Sequence, residues 1–186
     1  FIAGNPPWIN WESLPEEYRN SMKPIWVEYG LFPHGGMDTI LGKGKKDIST
    51  LMTYVAIDKY LKPTGKLGFL ITQSVFKTSG AAQGFRRFQV GDKGVPIQVL
   101  HVDDMTELNP FEGASNRTAI IILQKGKPTV YPMKSYLYWK KTVTGQSIPL
   151  ESTLNNALEM TERKSYIALP VDKNDPTSSW LTGRSK

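Results

Sequence analysis

Three short apolar runs punctuate the chain: residues 66–72 (Lys-Leu-Gly-Phe-Leu-Ile-Thr), Ile97 to Val102, and Thr118 to Leu123. Each is too short for a typical helix and rich in β-branched or aromatic residues, so each reads as a strand. The first run is apolar almost without alternation, as expected of a strand buried on both faces in a parallel sheet. Helical spacing appears between the runs. From Asp47 to Leu61, the residues Leu51, Tyr54, Val55, Asp58 and Leu61 fall mainly on two faces. Asp47 is placed to cap this helix, and Lys62-Pro63-Thr64-Gly65 stops it. A shorter helix is predicted over about Ala81 to Phe88. Another follows Ser13, with Pro15, Glu16 and Glu17 in its first turn, and a second turn past Pro24 runs up to Gly30. Residues 30–46 are broken by glycine and proline and read as a loop. Strands alternating with helices predict an α/β fold with a mostly parallel sheet. Beyond Gly126 the pattern weakens to one or two short strands through Trp139, a helix near Leu154–Arg163 and a polar tail. The chain therefore divides into residues 1–125, a back-half α/β unit, and residues 126–186, an irregular basic extension.

Composition narrows the options. With 186 residues and 39% hydrophobic content, the chain can bury one sizeable core. The absence of cysteine excludes disulfides, thiolate zinc sites and cysteine nucleophiles. His34 and His101 stand alone, so no metal is expected and neither histidine is given a role. No apolar run reaches the roughly 20 residues that span a bilayer, so no membrane association is expected and a cytoplasmic location is. The charge carries more information. Twenty-three basic residues against 17 acidic ones give a net +6, which favours a polyanionic partner. Residues 113–150 hold Arg117, Lys125, Lys127, Lys134, Lys140 and Lys141 and no acid, with Tyr131, Tyr136, Tyr138 and Trp139 between them. Such a stretch suits phosphate contact with base stacking, and equally suits a strand pair with solvated lysines.

The chemistry is concentrated at the start. Gly4-Asn5-Pro6-Pro7-Trp8 closes a short apolar run, Phe1 to Ala3. The Asn5 side-chain carbonyl and the Pro6 backbone carbonyl are acceptors able to hold an exocyclic amine. The paired prolines stiffen the loop, and Trp8 offers a flat face for a planar ring. Asn-Pro-Pro-Trp resembles the (Asp/Asn)-Pro-Pro-aromatic signature of S-adenosylmethionine-dependent amino methyltransferases, above all the DNA adenine-N6 enzymes. Trp8-Ile9-Asn10-Trp11-Glu12 and Lys46-Asp47-Ile48-Ser49 resemble the type IIG (Eco57I-like) restriction-modification methyltransferases. Lys62-Pro63-Thr64-Gly65-Lys66-Leu67-Gly68-Phe69 is similar to the turn and fifth strand of that family. Pro110-Phe111 followed by Asn116-Arg117-Thr118-Ala119 is similar to its later phenylalanine and threonine-alanine strand.

The resemblance covers residues 1–125 and implies a partial Rossmann-like methyltransferase fold, strands four to seven. It implies a site-specific DNA adenine-N6 methyltransferase of a restriction-modification system, with S-adenosylmethionine as cofactor and double-stranded DNA as partner. Asn5, Pro6, Pro7 and Trp8 are then catalytic, and Trp8 and Phe111 stack on the flipped base. Asn5 and Asp47 border the cofactor, although a helix cap explains Asp47 as well. Lys43, Lys45, Lys46 and Arg117 would meet the DNA backbone. The family's glycine-rich cofactor loop follows its first strand and has no counterpart here. Gly42-Lys43-Gly44-Lys45-Lys46 follows no strand and fails the context for such a loop. The chain therefore reads as a truncated piece, inactive alone, whose partners include the N-terminal half of the methyltransferase and a target-recognition domain toward which residues 126–186 lead. Two other readings stay open: an amino methyltransferase acting on RNA or a glutamine amide, and a non-catalytic nucleic-acid-binding module. Asp103, Asp104 and Glu107 read as solvated acids at a strand end, and Arg86-Arg87 as an exposed helix face. No nuclease arrangement is visible.

Overall fold

The computed structural model describes residues 1–32, 47–111 and 116–184. Eight strands form one sheet: β1 (Ile2–Gly4), β2 (Lys66–Thr72), β3 (Gln89–Val90), β4 (Val95–Asp104), β5 (Thr118–Lys125), β6 (Met133–Lys141), β7 (Thr161–Pro170) and β8 (Trp180–Gly183). Their order is β1-β2-β5-β4-β6-β7-β8, with β3 paired to β4. The helices are α1 (Glu16–Glu28), α2 (Ile48–Val55, continuing as a wider π turn through Tyr60), α3 (Ser74–Lys77), α4 (Ala81–Phe85) and α5 (Leu154–Glu159).

All three apolar runs are strands, and Asp47 caps α2 by accepting the Ser49 N–H at 2.8 Å. The sheet corrects the expectation of mostly parallel pairing. Among the described strands only β1–β2 and β4–β6 pair in parallel; β2–β5, β5–β4, β6–β7, β7–β8 and β3–β4 are antiparallel. The reason lies in the connections. β1, β2, β4, β6 and β8 all point one way, but β5 inserts between β2 and β4, and β7 between β6 and β8. A reversed strand needs no helical crossover and so leaves no mark in the helix pattern.

The extension is likewise not irregular. β6, β7 and β8 continue the sheet, and the helix predicted through Arg163 ends at Glu159, because strand β7 begins at Thr161. Around Pro24 the two pieces predicted merge into one helix, α1. A proline there forfeits one intrahelical bond without ending the helix.

The strands bury alternate residues against the helices. Leu67, Ile71, Ile121 and Leu123 are each 0% exposed and pack in one cluster with Trp26, Leu51, Tyr54 and Phe85. Each such side chain contributes about 1.5–3 kcal/mol by leaving water. The intervening residues Gly68, Leu70, Ile120 and Ile122 are only half-buried. Gly84 lets α4 close on the chain leaving α1: a Cβ there would stand 2.5 Å from the Gly30 carbonyl oxygen.

Arg86 is 2% exposed rather than on an outer helix face. Its guanidinium donates to the carbonyls of Val75 (2.6 Å), Thr78 (2.8 Å) and Thr177 (2.7 Å), pinning the segment before β8 to the helical layer. Arg87 is exposed as expected. Trp180 of β8 completes this latch by stacking on Phe76, with ring centroids 4.7 Å apart.

Candidate target-base site

β1, β2 and β4 point their carboxyl ends toward one edge of the sheet, the edge at which α/β folds place ligands. Asn5 follows β1 directly and is exposed, and its side chain makes no hydrogen bond to the described residues. The residues around it are fixed. Pro6 is buried. Trp8 donates its indole N–H to the Leu70 carbonyl at 3.3 Å, just beyond the last β1–β2 pair, Gly4 with Phe69. The Ile9 carbonyl accepts the Ile48 N–H at 2.9 Å, and Asn10 bridges Asp47. The motif loop is thus tied to β2 on one side and to the start of α2 on the other, while Asn5 projects free.

Trp8 and Phe111, widely separated in sequence, meet edge to face, with centroids 5.3 Å apart and planes at 78°. The two rings expected to hold a base therefore share one wall. Arg117 is exposed on the same edge, next to the Thr72–Thr118 pair, and its carbonyl accepts the Gln73 N–H at 2.8 Å. Lys43, Lys45 and Lys46 lie outside the described residues, as does His34.

Asp47 is 6% exposed and its carboxylate is engaged as the cap of α2. Burial pushes its carboxyl above the usual carboxylate range, against the opposing pull of Ser49 and Thr72. A cofactor hydroxyl would have to compete with that cap. Of the two residues expected to border a cofactor, Asn5 is the one whose side chain is free.

Beneath the loop carrying Phe111 lies a polar network that the sequence pattern did not reveal. Asp104, 2% exposed, accepts from Gln73 Nε2 at 3.2 Å, from the Thr106 N–H at 3.1 Å and from the Tyr136 hydroxyl. Burial, then the carboxylate beside it, raises the Tyr136 hydroxyl, which stays a donor. The only hint in the sequence is that Gln73 and Asp104 each stand at a strand end.

Asp103 is not a solvated acid either. It accepts the Trp139 indole N–H at 2.8 Å and pairs with His101 at 3.1 Å. The other ring nitrogen of His101 meets the Ser135 hydroxyl at 2.7 Å. Glu107 is engaged by Tyr138 at 2.6 Å and by Lys140 at 3.7 Å. Among the described residues no group of three or more acidic or histidine side chains could hold a metal ion, and no helix is long and apolar enough to cross a membrane.

No family model matches the chain, and no curated protein matches it. Among solved structures it is similar to a chain of a type I restriction-modification system, at 14% identity and TM-score 0.46 over 88% of this chain and 34% of that one. It is similar to a nuclease-deletion mutant of the Type ISP restriction-modification enzyme LlaGI, solved with a DNA substrate mimic, at 21% identity and TM-score 0.47, covering 97% of this chain and 18% of that one. A third is the type IIG restriction endonuclease BpuSI, at 10% identity and TM-score 0.39, covering 88% and 18%. The chain spans about a third or less of the length of these proteins.

Proposed function

We propose that this chain carries the target-base half of the active site of a DNA adenine-N6 methyltransferase belonging to a restriction-modification system. The observation that carries the reading is the free Asn5 amide on a fixed loop, beside the meeting rings of Trp8 and Phe111. An adenine must leave the duplex to be reached, at a cost of a few kcal/mol. Stacking on aromatic rings offsets this by about 1–3 kcal/mol. The Asn5 and Pro6 carbonyls then accept the two N6 hydrogens. This turns the nitrogen lone pair out of the ring and stabilises the positive charge that develops there, so no general base is needed before attack. S-adenosylmethionine, when bound, supplies the methyl group.

Asn5 borders that cofactor, and Asp47 shapes the border by holding α2 in place. Arg117, with Lys43, Lys45 and Lys46, meets DNA phosphates. The rest of the cofactor site comes from further polypeptide. β1 can accept it, since it pairs with β2 alone among the described strands and leaves Phe1, Ala3 and Gly4 exposed. Residues 126–186 lead on toward a target-recognition domain.

A second reading, a non-catalytic nucleic-acid-binding module, is favoured by the engagement of Asp47 as a cap. One experiment separates the two. In the full-length polypeptide that carries this chain, Asn5→Ala lowers methyl transfer from labelled S-adenosylmethionine to DNA by at least about 100-fold while DNA affinity is kept. Unchanged transfer in the variant refutes the acceptor role, and absence of transfer in the parent favours the binding module.

A further inference from the structure

At the carboxyl end of β6 lies a cavity of about 610 Å³, walled by Trp139 and Lys141 of β6, Leu154 and Leu158 of α5, and Asn109 and Pro110. This volume falls within the roughly 300–1,000 Å³ of small-ligand sites. The cavity and the target-base site share a wall, because Pro110 lines the first and Phe111, the next residue, meets Trp8 in the second.

The contents of the wall select an occupant. Trp139 is held firmly: its indole N–H donates to Asp103 at 2.8 Å, and the Arg163 guanidinium stands 5.2 Å from its ring centroid. A fixed ring costs little further ordering when a base stacks on it. Lys140 and Lys164 are drawn to Glu107 at 3.7 Å and Glu162 at 3.4 Å. Lys141 is half-buried and has no such carboxylate among the described residues. An ammonium in a largely apolar wall is stabilised by an anion brought to it. An apolar peptide would leave Lys141 without a partner, and a free phosphate would leave Leu154 and Leu158 uncovered. A nucleotide satisfies all three features, with its base on the indole, its sugar on the leucines and its phosphate at the ammonium.

We propose that this cavity is a second nucleotide subsite, which takes an unstacked nucleotide next to the target adenine in the same DNA strand. The inference rests on the methyltransferase reading for the identity of the neighbouring base, but its test is independent of catalysis. A pool of random-sequence oligonucleotides containing 5-iododeoxyuridine is bound to the protein, irradiated, and the cross-linked residues are mapped by mass spectrometry. Trp139 is expected to cross-link. Lys141→Gln is expected to weaken binding severalfold and to lower the slope of log affinity against log salt by about 0.7–0.9. Trp139→Leu, which keeps an apolar wall, is expected to lose roughly tenfold in affinity.

Cross-links at Trp8 or Phe111 but not at Trp139, with an unchanged salt slope in Lys141→Gln, would overturn the second subsite and leave the methyltransferase reading standing. Cross-links at Trp139 in a full-length protein that transfers no methyl group would do the reverse. Absence of cross-links altogether would overturn the subsite and DNA binding together.

Discussion

Tyr136→Phe isolates the network beneath the Phe111 loop. The change removes one oxygen and leaves the ring, which is 0% exposed, in place. What is lost is one of three donors to the Asp104 carboxylate, the others being Gln73 and the Thr106 N–H. A hydrogen bond to a buried charged group contributes about 1.5–3 kcal/mol, and water cannot readily take the donor's place at a residue 2% exposed. The expected loss is therefore about 2 kcal/mol. In urea, with a slope of about 1–3 kcal/mol/M for a protein of this size, the midpoint should fall by roughly 1 M at unchanged slope. Tyr138→Phe is the matched control. Its hydroxyl also donates to a carboxylate, Glu107, at 2.6 Å, but that contact is exposed, so its loss should cost less than about 0.5 kcal/mol. Equal midpoints for the two variants would refute the reasoning, since the expected gap rests on the difference in burial.

Trp8→Ala should abolish the fluorescence rise of 2-aminopurine placed at the target position, and Phe111→Leu should reduce it; an unchanged signal in both would assign the ring pair to packing alone. His101 is raised from 6.5, first by its hydrogen bond to Asp103, while Asp103 is lowered from 3.8. A raised histidine stabilises the fold fully below 6.5 and loses that stabilisation as pH rises through its folded value; the lowered carboxylate stabilises above 3.8 and loses its effect on acidification. The pair thus contributes most between these values, and His101→Gln should flatten the fall in unfolding free energy from mildly acidic to mildly alkaline pH, whereas an identical profile would exclude it as the source. Arg86→Met leaves the Val75, Thr78 and Thr177 carbonyls without their donor and should cost about 3 kcal/mol while opening residues 171–179 to limited proteolysis. Wild-type resistance in that variant would show that the stack of Trp180 on Phe76 suffices.

The geometry of the candidate site was partly legible because its loop is built from local sequence. Asn5 to Trp8 is contiguous, and the cap of α2 depends on Asp47 and Ser49 alone. The meeting of Trp8 with Phe111 could be anticipated only through resemblance, since nothing near either residue encodes a contact across that distance. Strand positions were readable from apolar runs, but pairing direction was not. β5 and β7 have the composition of their neighbours, and reversal is a property of the connection. The run at 66–72 suggested burial on both faces, whereas Leu70 is half-buried and Leu67 and Ile71 are fully so. Arg86 and Asp104 were misjudged for one reason. Charged residues are usually solvated, and their exceptions are set by distant carbonyls and hydroxyls such as those of Thr177 and Tyr136.

The insertion of β5 between β2 and β4 has a consequence for biosynthesis. Of the two strands that pair with β2, β1 is made before it and β5 well after it. The edge that will receive β5, from Lys66 opposite Gln124 to Thr72 opposite Thr118, waits until β4 and the loop after it have been synthesised. Long-range pairing of this kind is slow, and an unpaired apolar strand edge is a template for other chains. A nascent chain stalled after Asp104 would present both edges that flank β5 at once, on β2 and on β4, besides the edge of β4 that later receives β6. Completion of β5 closes these two in a single step, so the largest drop in exposed strand edge should fall within the few residues of Thr118–Lys125, while the other edge of β4 waits for β6.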